Sequence, residues 1–400
     1  MTSLLNVSKL GVCSIYPEIS RQFLSLNDLS TPFPNETDEQ KLLRNVLIHF
    51  DLLTSCNLRD FQRAKFFFES CQKEKIENQA LSCLIEALVS WANLDYSSAK
   101  LTFNIYIDKY PCDVLVFFIV HMMYFCCGNT SELLCLIHNK VEREIFESHP
   151  LYAYYLGIKS FVACETNNFQ ESLEIGLKSL KIIEDNIYAI HAVSHAYHEM
   201  QEHEKVIKFL NTNMPLWINN PGMKMHVYWH ISVAELSLLS IDNAREAFDK
   251  FYLMKVSPYA EQDLDAVGFL WRYKLCFPED NQYKYIWSQL ADNWTGSVGA
   301  STSYFHDVHA ALAFAAVNKS FLIEKMIARS DGIGIYEGSH PVGVEILQSI
   351  YYYSIEQYHE CVMLLNKTEK DWAKIGGSKI QRDLLGLTLK DAMYRSGMTT

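Results

Sequence analysis

The chain has 400 residues, 49% of them apolar and 20% charged, with a formal net charge of −12. That balance describes a fully folded protein with chain enough for a large core. It excludes the basic footprint that nucleic-acid binding needs to displace phosphate counterions.

The amino-terminal stretch MTSLLNVSKLGVCSIYPEIS has no basic segment followed by an unbroken apolar run, so it does not read as a secretory signal. Residues 1–45 read as a divergent arm. The most apolar stretch runs from Val114 to Cys127 and is interrupted by His121. It is shorter than the about 20 residues a bilayer span needs, so a buried helix and no membrane insertion are expected. Eleven cysteines, an odd number, are scattered with one adjacent pair (Cys126, Cys127) and no C-x-x-C. Reduced thiols and a cytoplasmic location are the expectation.

From there on the periodicity is helical. Gln79 to Asp95, Tyr152 to Thr166 and Tyr188 to Gln201 carry apolar residues at i, i+3 and i+4, and alternating strand-like runs are lacking. Aligning the helix–turn junctions brings out a repeat: Phe61 with Ala64, Tyr96 with Ala99, Ser131 with Leu134, Phe169 with Ser172, His203 with Val206, and Ile241 with Ala244. Tyr358 with Cys361 marks a late copy. The second members recur at close to the period of roughly 34 residues that two antiparallel helices and two short turns consume. Such a hairpin buries its apolar face only against a neighbour. The fold expected is therefore all-α: a right-handed α-solenoid of tetratricopeptide type, with regular helix pairs over 46–255 and irregular pairs over 256–400.

Five motifs sharpen this: YAIHAVSHAYHEM (188–200), HVYWH (226–230), LDAVGFLWRYKL (264–275), HDVHA (306–310) and IGGSKIQRD (375–383). On them the stretch from about Ala87 to Leu389 resembles the tetratricopeptide repeat protein 38 family. The resemblance implies an all-helical superhelix of about this length and implies no particular reaction.

Histidines are where chemistry is expected. His191, His195 and His198 are spaced i, i+4, i+7; His226 and His230 i, i+4; His306 and His309 i, i+3, so each set lines one helix face. Two such pairs on neighbouring helices can converge as helix-borne ligands do in bundle metal sites, which makes His191, His195, His226 and His230 candidate ligands for a divalent transition metal. With Asp265, Arg272 and His309 they are also the candidate catalytic set, imidazoles for acid–base work and a carboxylate or guanidinium to orient ring or substrate. Tyr228, Trp229, Asp307, Ser378 and Arg382 are the expected ligand contacts. For any single histidine, filling a semi-polar gap between helices is the commoner role. HEMQEH (198–203) fails the H-E-x-x-H rule, since its second histidine comes five residues after the first. Ser378 after Gly376 and Gly377 reads as a helix cap, with anion binding at that helix start as the alternative. SDGIGIYEGSHPVG (330–343) reads as an irregular loop.

Two function classes follow. One is a binding module whose inner face carries a His/Asp/Arg-lined pocket for a peptide, a protein partner or a small polar molecule. The other is an enzyme acting on a small polar substrate in that pocket.

Overall fold

The helical periodicity carries through: helices and turns make up the chain and no strand occurs among the residues that the structure, a computed structural model, describes (11–55, 57–73, 75–256, 260–295, 303–329 and 340–398). Most of the loop expected over 330–343 lies outside them. Two units separate. The first holds Met1–Thr54, Arg59–Tyr124 and Asn129–Val227; the second holds Ser55–Leu58, Phe125–Gly128 and Tyr228–Thr400.

The chain begins with α1 (Gly11–Ile15), α2 (Pro17–Leu24), α3 (Asp38–Thr54) and α4 (Leu58–Cys71). Then come α5 (Gln79–Ala92), α6 (Tyr96–Lys109) and α7 (Val114–Cys126). Helix α8 (Thr130–Leu136) runs through a π-helical turn, Ile137–Val141, into α9 (Glu142–Glu144). Next are α10 (Tyr152–Glu165), α11 (Phe169–Ile182), α12 (Ile187–Glu199), α13 (His203–Thr212) and α14 (Met214–Trp217). The boundary between units falls inside one continuous helix, α15 (Lys224–Ser237). Beyond it lie α16 (Ile241–Met254), α17 (Ala260–Cys276), α18 (Lys284–Thr295), α19 (Tyr304–Ala316), α20 (Ser320–Arg329), α21 (His340–Ser354) and α22 (Tyr358–Thr368). A 3-10 turn, Glu369–Ile375, leads to α23 (Lys379–Arg395). Helix α7, the most apolar, is 13 residues long, and no described helix is long and apolar enough to cross a membrane.

One turn recurs along the chain. After α5 the Asp95 amide donates to Ser90 O (2.9 Å) and the Leu94 amide to Trp91 O (2.8 Å), with Leu94 in the left-handed region at φ 63°. This is a Schellman motif, which satisfies carbonyls that a helix end would leave bare. The same pair of bonds closes around Gly128, Asn167, Gln201, Leu239, Asn318, Glu356 and Gly397, all with positive φ. From Leu94 through Gly128, Asn167 and Gln201 to Leu239 the left-handed positions keep nearly the spacing of one helical hairpin, and Asn318 to Glu356 repeats it.

A helix that reverses direction in so short a turn lays its successor directly against itself. The fourth residue of each following helix then meets the preceding one. Those residues are Ala99, Leu133, Ser172, Val206, Ala244, Ile323 and Cys361, and every one is 0% exposed. Two junction readings are thereby corrected. At α8 the buried residue is Leu133, while Leu134 is partly exposed, so that copy is one residue out of register. A further copy, Ser320 with Ile323 after the Asn318 turn, sits in the stretch read as irregular.

Packing follows the same order. Helix α10 contacts both α11 and α12, α11 contacts α12, and in the second unit α19, α20 and α21 contact one another in the same way. Small residues permit the approach. A Cβ added at Gly176 would lie 2.6 Å from Val193 Cγ2, and Ser160 Oγ donates to Ser172 O (2.7 Å). Asn186 then fixes where α12 starts. Its side-chain amide donates to Ala153 O (3.0 Å) and Ser179 Oγ (2.9 Å), and its side-chain oxygen caps the Ala189 amide.

Leu239 is 67% exposed and left-handed, so its side chain contributes little packing while its Cβ is strained. Leu239→Gly should raise the unfolding free energy by up to about 1 kcal/mol. Leu239→Ala, which keeps the Cβ, should give no gain. Calorimetry on the two variants checks this, and a lower melting temperature for the glycine variant would contradict it.

Candidate functional site

Helix α12 is buried nearly all round, and His191 (7% exposed), His195 (0%) and His198 (4%) are buried with it. The i, i+4 spacing stacks His191 and His195 one turn apart, and their Nε2 atoms face each other at 2.8 Å. His226, on the first turn of α15, brings its ring to within 5.0 Å of His191, centroid to centroid. His230 follows one turn later on the same helix. Within the first unit, one ring nitrogen each of His191, His195 and His226 lies within 4.8 Å of the other two.

Aromatic rings wall this group in the first unit. Phe161 stacks on His191 (5.4 Å, 17°) and meets His195 edge-on at 5.0 Å. Tyr188 lies 5.9 Å from the His191 ring, and its hydroxyl is 2.5 Å from His121 Nε2. Burial pushes His191 and His195 well below the usual histidine range, and the neighbouring imidazoles push the same way. His121 is driven down to about 3 by burial. All three are neutral at physiological pH, the form that binds metals. The other ring nitrogen of His195, Nδ1, faces Glu165 Oε1 at 3.8 Å, and both side chains are almost fully buried.

Sequence reasoning missed Glu165. The available signal was a glutamate closing the apolar run FVACE at the end of α10, where a helix disfavours negative charge. His198 pairs with His203 at 5.6 Å between ring centroids despite the five-residue spacing, because the left-handed Gln201 breaks the helix between them.

The remaining candidates belong to the second unit and form a polar assembly of their own. Arg272 donates to Gly268 O (2.6 Å) and to Ile380 O, and its guanidinium lies 5.8 Å from the Trp229 ring. Burial lowers its pKa, while the charges of Asp383 and Asp265 oppose that shift. The guanidinium thus ties α17 to the start of α23. His309 Nδ1 bonds Phe305 O (2.8 Å), and His306 Nε2 accepts from Trp294 Nε1 (2.7 Å). Burial drives these two imidazoles to about 3 and about 4. Asp265 and Asp307 are buried as well. Trp229 is 1% exposed and Tyr228 only partly exposed.

Ser378 makes a full capping box with Gln381, and Arg382 donates to Gly376 O and Gly377 O. A Cβ at Gly377, which has φ 77°, would strike Phe305. The helix-cap reading of this turn is the one the geometry carries.

No family model matches the chain, and no solved structure matches it.

Buried neutral histidines predict a stability profile. The unfolded chain protonates each near pH 6.5, whereas folded His121, His306 and His309 resist protonation down to about 3, 4 and 3. Between pH 6.5 and those values the unfolded state binds more protons. Stability is therefore complete above about pH 6.5 and falls as the pH drops, by roughly 1.4 kcal/mol per pH unit for each such histidine. The melting temperature should decline steeply from about pH 6.5 to 4.5. A flat profile there would contradict neutral burial.

Proposed function

We propose that this is a helical-repeat protein of the tetratricopeptide type, an α-solenoid, whose first unit binds a divalent transition metal through His191, His195 and His226. The observation that carries the reading is the convergence of three ring nitrogens, from His191, His195 and His226, within 4.8 Å of one another. A group of neutral imidazoles with no thiolate suits zinc, cobalt, nickel or copper and does not suit magnesium or calcium, which take oxygen ligands. Two nitrogens on one zinc at a tetrahedral angle stand roughly 3.3 Å apart. The 2.8 Å between His191 and His195 is close to that, so a small opening of the rings admits the ion.

The repeat reading is supported by the left-handed turn that recurs at nearly constant intervals along the chain. It is of one piece with the resemblance to the tetratricopeptide repeat protein 38 family. The role proposed is binding: the metal gives a small polar molecule or a side chain of a peptide partner a coordination position in an otherwise aromatic wall. A second reading, an enzyme, has one observation on its side. Imidazoles held neutral in dry surroundings are what a metal needs to lower the pKa of a bound water. The cysteine usage supports a cytoplasmic location.

Elemental analysis of protein purified without an affinity tag tests the metal. One equivalent of a transition metal is expected, lost in His191→Ala and in His195→Ala and kept in His309→Ala. Stripped protein should take up cobalt(II) with visible absorption of a nitrogen-ligated ion. Failure of both zinc and cobalt to bind at micromolar concentration would overturn the proposal.

A further inference from the structure

Glu165 is a carboxylate in an unfavourable place. It is the last residue of α10, where the helix carbonyls already present partial negative charge, and its side chain is 2% exposed. Burial of a carboxylate costs several kcal/mol unless a nearby positive charge or donors compensate. One group it faces is the imidazole of His195, Oε1 to Nδ1, at 3.8 Å.

The tautomer supplies an independent constraint. With Nε2 of His195 and Nε2 of His191 only 2.8 Å apart, one of them carries the hydrogen and donates to the other. A metal between them needs both lone pairs. When His195 gives up its Nε2 hydrogen and stays neutral, the hydrogen must sit on Nδ1, the nitrogen that faces Glu165. Metal-bound histidines usually donate their second N–H to a carboxylate or carbonyl, which fixes the ring and raises its basicity.

We infer that Glu165 is the outer carboxylate of the histidine site: it accepts the Nδ1–H of His195, turns Nε2 toward the metal, and contributes the negative charge that a buried dication requires. This rests on the metal reading above. Glu165 touches no metal itself and is a positioning residue. At 3.8 Å the pair is beyond hydrogen-bond range in the metal-free arrangement, and the inference requires it to shorten when the ion binds.

Glu165→Gln keeps the shape and removes the charge. Zinc affinity, measured by competition with a chromophoric chelator, should weaken roughly 10- to 100-fold. Glu165→Asp should recover part of the loss, and the visible spectrum of the cobalt(II) protein should shift in Glu165→Gln. Zinc binding by Glu165→Gln as tight as wild type would overturn the inference and leave the metal site standing. Failure of the wild type to bind zinc or cobalt would instead remove the metal reading, and the role of Glu165 with it.

Discussion

A helix that must turn back on itself within a single tight turn has to place one residue in the left-handed region, and this constraint organises the chain. At Gly128 and Gly397 the residue is glycine, and at Asn167 and Asn318 it is asparagine, which tolerates the conformation through its short polar side chain. At Leu94, Gln201, Leu239 and Glu356 it is neither, so the Schellman hydrogen bonds hold a strained backbone in place. The turn fixes which residue of the next helix is buried. From that the stacking of α10, α11 and α12 follows, and with it the wall on which the histidines stand.

Burial by neighbours on several sides also sets the chemistry. Helix α12 has almost no solvent face, so an imidazole on it has either a polar neighbour or a ligand to turn to. Water is removed, protonation is suppressed, and the rings are left as neutral donors and acceptors. The same reasoning makes Glu165 informative. Its buried side chain faces the Nδ1 of His195, the ring nitrogen turned away from His191.

Much of this is legible in the letters, for physical reasons. Helical period and short polar turns announce hairpins, and the pairs at Tyr96, Phe169, His203, Ile241 and Tyr358 fall at helix starts with the buried residue three positions on. The Ser131 copy reads out of register because Leu133 and Leu134 are both aliphatic and only packing tells them apart. The stacking of His191 on His195 is readable from their i, i+4 spacing. Glu165 leaves only a faint mark, a glutamate closing the apolar run FVACE, and that its side chain is buried is decided by packing alone.

The two units use the same residue type to different ends, and the contrast bears on which one binds a ligand. In the second, His309 bonds the carbonyl of Phe305 and His306 accepts the indole N–H of Trp294, while the Arg272 fork is spent on Gly268 and Ile380. Each of those polar groups is turned to a protein atom that can hold it permanently, which is how a fold fills semi-polar gaps. In the first unit His191 and His195 turn their Nε2 atoms to each other, and His226 joins them from another helix. A cation at the point they share would hold this arrangement, and that is the ground of the proposed metal site.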